Sequence, residues 1–272
     1  MARVICVASQ KGGVGKTTTA VNLSAALAAT ERKTLLVDFD PQGHATTALG
    51  VDKGKLNKTV FHGIMGQALG PEIVMDSELE FLKVLPARTE LFSAEVALMS
   101  RPGKEKKLRN LLDQLRDGYE YVIMDTAPSL GLLAMNSFVA ADDLVIPLQC
   151  EFLALEGLYS MMKSIQVIRE RIHHGLKIAG ILLNMFEPGD ETSRKIEESA
   201  RRHFGDLVFR SVIPRDVQLK RSPEFGTPIL LRDALSPASR RFLALAREII
   251  RQGSQDQRKF GRSGKRAEQA VT

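Results

Sequence analysis

The sequence predicts an α/β fold: a twisted parallel sheet flanked by helices. Three observations predict it. Short, near-continuous apolar runs alternate with helical segments, the pattern of strands buried on both faces. Each run ends on polar residues, and such sheets gather ligands at the carboxyl ends of their strands. The first run leads directly into a glycine-rich loop and a helix, Ser9-Gln10-Lys11-Gly12-Gly13-Val14-Gly15-Lys16-Thr17-Thr18, a setting in which backbone N–H groups and the helix dipole favour a phosphate.

The first strand is Val4-Ile5-Cys6-Val7-Ala8. The helix after the loop covers 16–29 and buries Val21, Leu23, Leu27 and several alanines. Thr34-Leu35-Leu36-Val37 stops at Asp38, Tyr121-Val122-Ile123-Met124 at Asp125, Leu144–Leu148 near Gln149, and Ile178–Leu183 at Asn184. Leu207-Val208-Phe209, leading to Val212-Ile213-Pro214, reads as a further strand. Other helices are expected at 104–117, 131–140, 153–173, 190–204 and 236–251, with short helices somewhere in 50–80. No repeat or linker interrupts residues 1–252, so a single domain is expected there. Residues 253–272 are polar and basic and are expected to form a disordered tail.

Composition narrows the function. No apolar run could span a membrane, and Met1-Ala2-Arg3 runs straight into a strand, without room for a signal peptide. Two isolated cysteines, Cys6 and Cys150, suit neither a disulfide framework nor a metal cluster. A cytoplasmic protein is expected. The net charge is +6, and from Arg251 onward six basic residues face Asp256 and Glu268. Such a tail either binds polyanions or only aids solubility.

The loop has the parts of a P-loop. Gly12, Gly13, Val14 and Gly15 let backbone N–H groups close on a phosphate, Lys16 serves the β/γ oxygens, and the Thr17 hydroxyl serves Mg²⁺, with Thr18 beside it. The Gly-x₄-Gly-Lys-[Ser/Thr] spacing is counted from Lys11 to Thr17. Lys11 is extra and reads as serving a phosphate that its own loop does not hold. In Asp38-Phe39-Asp40-Pro41-Gln42-Gly43 the two acids lie at i and i+2 of an extended segment and point the same way. They could face a Mg²⁺–phosphate site and its attacking water; the competing reading is a turn or helix cap. Asp125, at its strand end, reads as the acid that supports Mg²⁺ through water. Phosphoryl transfer needs positioning and charge neutralisation. With no acceptor pocket in view, hydrolysis is the expected reaction.

These segments, with Asp125-Thr126-Ala127-Pro128-Ser129-Leu130-Gly131, Pro147-Leu148-Gln149-Cys150-Glu151, Ala154-Leu155-Glu156-Gly157 and Ile213-Pro214-Arg215, resemble the ParA/Soj family of partition ATPases. That family sits among the P-loop NTPases of the deviant Walker A type, with MinD and the nitrogenase iron protein. The resemblance runs from about Arg3 to Arg251. It implies a weak, Mg²⁺-dependent ATPase that takes ATP and ADP and is stimulated by a ParB-like centromere-binding protein. It also implies a homodimer that sandwiches ATP, binds double-stranded DNA without sequence preference, associates with the nucleoid, and segregates or positions chromosome, plasmid or other cargo. By the same likeness Lys11 reaches the second copy's phosphates, and Gly12 lies where two backbones meet. Lys16 and Asp40 serve catalysis; Thr17, Asp38 and Asp125 lie on the metal side. Glu151 touches the second copy's ribose, and Asn184, Pro214 and Arg215 frame the adenine.

DNA contact falls to Lys220, Arg221, Arg240, Arg247 and Arg251, with Arg232 and Arg241 nearby; a solvated amphipathic face is the alternative. This chain departs from the family by Gln218, where relatives often carry arginine, and by the acidic stretch Phe186–Thr192. A MinD-like membrane-cycling ATPase is the alternative function, but Phe260 is the sole bulky apolar residue between Gly253 and Ala270, and membrane anchoring needs more. An electron-transfer reductase would need cysteines placed to share an iron–sulfur cluster.

Overall fold

The computed structural model describes residues 2–128, 131–151 and 153–269, the side chains of 255–269 excepted. Ser129 and Leu130 therefore lie outside the described residues, as do the side chains of the basic tail. The chain runs β1 (Arg3–Val7), α1 (Lys16–Ala28), β2 (Thr34–Phe39), α2 (His44–Ala48), α3 (Val60–Ile64), β3 (Met75–Asp76), β4 (Leu82–Leu85), α4 (Leu91–Leu98), α5 (Lys107–Asp113) and β5 (Tyr121–Thr126). It continues with α6 (Leu132–Ala140), β6 (Asp143–Gln149), α7 (Ala154–Arg171), β7 (Lys177–Asn184), α8 (Glu191–Phe204), α9 (Val217–Arg221), α10 (Ile229–Arg232) and α11 (Pro237–Gln269).

Among the described residues the strands form one seven-stranded sheet in the order β3-β4-β2-β5-β1-β6-β7. Every pairing is parallel except that of β3, a two-residue edge strand antiparallel to β4. Strand alternation splits the core into two layers. Ile5, Val7, Leu36, Ile123 and Leu182 pack against α1 and α11. Val4, Cys6, Val37, Met124 and Leu183 pack against α5, α6, α7 and part of α8. β1 lies between β5 and β6, so the loop leaving it opens at the middle of the carboxyl edge. Register sets Asp38 directly beside Asp125 on the neighbouring strand.

The expected strand at 207–214 is not one. Its backbone follows β7 through Phe209 N to Ile181 O and Ile213 N to Leu183 O, but the amides of Arg210 and Ser211 between them donate to the Glu248 carboxylate. The ladder is broken there into isolated bridges. The expected helix at 104–117 begins with a 3-10 turn, Lys104–Lys106, and ends in another at Arg116–Gly118. Asn136 of α6 accounts for its start: it accepts from Leu108 N and donates to Lys104 O. Finally, α11 continues through 253–269, where composition predicts a disordered tail.

Candidate functional site

The loop between β1 and α1 is built around two left-handed glycines, Gly13 (φ 76°) and Gly15 (φ 87°), a conformation that side chains resist. A Cβ on Gly15 would also collide with the Asn184 amide. Asn184, at the end of β7, is buried and donates from Nδ2 to Val14 O (2.8 Å). It therefore holds the phosphate loop from below, a role the resemblance did not imply. Gly12 and Gly13 have open space where a Cβ would stand. Lys16 is 7% exposed, and its Nζ reaches back to Lys11 O at 3.5 Å. Burial lowers its pKa, while Asp125 and Asp40 act the other way.

The spacing reading needs correction. Counted back from Gly15-Lys16-Thr17, the first glycine of the ordinary motif falls on Gln10, not on Lys11 or Gly12. The Gln10 side chain is engaged by α7.

Both oxygens of Asp125 are buried without a hydrogen-bond partner. Burial pushes its carboxyl pKa up, Asp38 beside it adds to the rise, and the nearby Thr17 hydroxyl opposes it. Orphaned buried carboxylate oxygens are costly, and a hydrated Mg²⁺ would satisfy them. Among the described residues no group of three or more His, Cys, Asp or Glu could hold a metal alone. The residues present therefore fit a Mg²⁺ held by Thr17, phosphate oxygens and waters, with Asp125 behind it.

Asp38 is placed differently from the expectation of a metal-side acid. Its Oδ2 accepts from the Thr46 amide (2.7 Å) and hydroxyl (2.6 Å), and its Oδ1 from Asp40 N (3.3 Å). Burial raises its pKa to about 6, and these hydrogen bonds limit the rise. Thr46 also accepts from Ala87 N, so Asp38 ties the loop after β2 to the loop after β4. Asp40 is 8% exposed. Its Oδ1 caps the turn through Gln42 N (2.9 Å), which is the turn reading. Among the described residues nothing donates to its Oδ2, which leaves that oxygen for the site.

A cavity of about 400 Å³ opens beside the loop, lined by Thr18, Asn184, Met185, Pro214, Arg215 and Val217 among others. Its size suits a nucleoside, and it gathers three of the expected adenine residues. Arg215 is held by two carboxylates, Glu151 (3.0 Å) and Glu187 (2.5 Å). The Glu151 side chain is thus paired within its own chain. A larger cavity of about 580 Å³, lined by Lys33, Phe81 and Tyr119 among others, lies at the amino ends of β2, β4 and β5, away from the loop.

Cys6 and Cys150 are both buried. Burial raises both thiol pKa values, that of Cys150 to about 12. Neither sulfur reaches a surface where two subunits could share a cluster.

Lys220, Arg221, Arg240, Arg241, Arg247 and Arg251 are exposed. On α11 the residues Arg240, Arg247 and Arg251 lie within about 40° of one another around the axis, opposite the buried Phe242, Leu245 and Ile249. Arg232 is not free: its guanidinium stacks on Phe225 at 3.4 Å from the ring centre, with Arg221 at 5.8 Å. Gln218 is exposed on α9, its amide capped by Asp216.

Comparison with known proteins agrees with this geometry. The family model of an AAA domain matches residues 2–178. The chromosome partitioning protein ParA of Myxococcus xanthus is 43% identical over 249 residues, covering 92% of this chain and 88% of that one. The sporulation initiation inhibitor protein Soj of Bacillus subtilis is 39% identical over 253 residues, 93% and 100% of the two chains. Among solved structures, cobyrinic acid a,c-diamide synthase of Mycobacterium smegmatis, with bound ADP and magnesium, superposes with a TM-score of 0.75 at 36% identity, covering 87% and 96%. The septum site-determining protein MinD of Pyrococcus horikoshii, complexed with Mg-ADP, gives 0.77 at 27%, covering 92% and 96%.

Sheet, glycine loop and buried strand-end acids define a P-loop ATPase of the deviant Walker A type, with ATP or ADP and Mg²⁺ as its ligands. The chain belongs to the ParA/Soj family of partition ATPases.

Proposed function

We propose that this ATPase is a DNA-associated switch assembled from two copies around two ATP molecules. It would segregate or position chromosome, plasmid or other large cargo. The observation that carries the reading is Lys11. Its side chain is exposed at the mouth of the loop, and among the described residues nothing accepts a hydrogen bond from its Nζ. Lys16 already serves the loop's own phosphate position. An ammonium supplied by a second copy would offset charge on the transferring phosphoryl group and so tie hydrolysis to pairing. The open space over Gly12 and Gly13 leaves room for a facing backbone.

In this reading the loop amides and Lys16 hold the β/γ-phosphates, with Thr17 and Asp125 on the Mg²⁺ side. Mg²⁺, when bound, neutralises phosphate charge. Asp40 orients a water whose oxygen bonds to the γ-phosphorus as the bond to the β–γ bridging oxygen breaks, giving ADP and phosphate. Asp38 holds the Asp40 turn in place. Asn184, Pro214 and Arg215 frame the adenine, and Glu151 lies toward the second copy's ribose. The arginine row on α11, with Lys220 and Arg221, neutralises DNA phosphates and releases counterions without reading bases. A ParB-like protein stimulates turnover.

The test is binding to a random duplex by the Asp40→Ala protein, which should load ATP but hydrolyse it poorly. ATP is expected to give a dimer that binds DNA and releases it at high salt; ADP gives neither. Lys11→Ala should bind ATP and stay monomeric. A normal dimer with normal hydrolysis in Lys11→Ala refutes the role of that lysine. No affinity of the ATP-loaded protein for DNA at low salt refutes the DNA part.

A further inference from the structure

Gln10 stands where the ordinary loop has glycine, and its side chain faces α7 rather than the nucleotide. Its Nε2 donates to Ser164 Oγ (2.9 Å), and its Oε1 accepts from Ser160 Oγ (3.3 Å). Ser164 in turn donates its own proton to Ser160 O (3.1 Å), so in this arrangement its oxygen accepts from the amide NH₂. The serines lie at i and i+4 on one helix face. The neighbouring residue, Lys11, is held at its backbone: its N–H donates to Ser9 Oγ (3.3 Å), and its carbonyl receives Lys16 Nζ. Lys11 also lines a small cavity together with Ala154 and Gly157 of α7.

We propose that Gln10 is a positioning residue for the ATPase reaction. Its clamp to Ser160 and Ser164 sets the backbone from which Lys11 projects and registers the phosphate loop against α7. This rests on the reading of Lys11 as the cation supplied across two copies. A glycine at position 10 would leave the loop's leading edge free to pivot. The amide removes that freedom before any second copy arrives, and preorganised charge is what phosphoryl transfer rewards.

The test compares Gln10→Ala, the pair Ser160→Ala with Ser164→Ala, the triple variant, and Ser164→Thr. Three quantities are measured: kcat for ATP, the affinity of the monomer for a fluorescent ADP analogue, and Tm. Gln10→Ala and the serine pair are each expected to lose roughly ten-fold in kcat, while analogue affinity changes less than about two-fold and Tm stays near the parent. The triple variant should lose no more than either alone, because all break one clamp. Ser164→Thr keeps the hydroxyl and should keep the rate. Parental kcat in Gln10→Ala or in the serine pair overturns the proposal, as does a triple variant whose losses multiply. Should Gln10→Ala fold poorly, the serine pair, exposed at Ser160 and half-buried at Ser164, decides alone. Lys11→Ala is run alongside. If it turns over normally, the reading beneath is wrong and the proposal falls with it; if it is dead while Gln10→Ala is normal, this proposal alone fails.

Discussion

Asp125 carries a cost that the protein's own groups do not relieve. Its two buried oxygens lack partners, and burial raises its pKa above the ordinary carboxylate value. The sign follows from linkage. A folded pKa above the unfolded one means that stability is full below the unfolded value and is lost as pH climbs through the folded value. Asp125→Asn does not titrate, so its advantage over the parent should grow with pH. At pH 8 without nucleotide we expect Asp125→Asn to be more stable by about 1–2 kcal/mol, roughly 2–4 °C in Tm, with the gap shrinking toward pH 5. Saturating Mg·ADP should reverse the order. A gap that is constant with pH would show the carboxylate to be satisfied in the free protein. The two cysteines make a sharper check. With the Cys150 pKa near 12 and that of Cys6 also raised, the thiolate fraction at pH 8 is about a thousand-fold or more below that of a free cysteine. Neither should react with a disulfide reagent until the protein unfolds; labelling of two thiols on mixing would overturn this placement.

At the scale of elements, α11 carries a core face and an exposed arginine face on one helix. One side buries Ala238, Phe242, Leu245, Ala246 and Ile249, and the other presents the arginine row. Changing Arg240, Arg247 and Arg251 to alanine should lower the slope of log affinity against log salt by about 2–3, measured by anisotropy on random duplex. Basal ATP turnover should not change. A weakened affinity with an unaltered slope would mean that the row does not meet phosphates. This face was legible in the sequence, because a period of 3.6 can be counted without knowing what it packs on. The positions of the glycine loop after β1 and of Asp38 and Asp125 near their strand ends could be read for a similar reason, because those signals are local. Other elements were hidden by their neighbours. β4 is only Leu82–Leu85, and Lys83 in its middle points to solvent, so no apolar run stands out. α4 carries Phe92 and Val96 outward while Leu91, Ala94 and Leu98 are buried, so it lacks the polar side that marks an amphipathic helix. The false strand at 207–214 has the right residues, but a carboxylate from α11, distant in sequence, takes two of its amides. In the site, the in-chain partners of Asp38 and Glu151, and Asn184's hold on Val14, depend on tertiary contacts that no local spacing could show.

The whole molecule is joined by ties between its ends. Arg3 bonds both Asp143 and Ile249 O. Glu248 accepts from Arg210 and Ser211, and Gln252 donates to Ala179 O. These ties make α11 part of the folding unit despite its position last in sequence. Phe242→Ala, at a fully buried site, should cost about 3–5 kcal/mol. Urea unfolding followed by circular dichroism and by bound fluorescent nucleotide should shift together; loss of helix signal with the nucleotide site still intact would argue for separate units. The alanine-rich contact between α1 and α11 has a mechanical corollary. α1 starts at Lys16 and Thr17, under the phosphates, and α11 lies along it with its arginines turned away. In the proposed switch, triphosphate and duplex would grip opposite sides of a two-helix strut. With little side-chain length between the helices to absorb a displacement, a recoil at the first turn of α1 would reach the outer rod as a rigid shove.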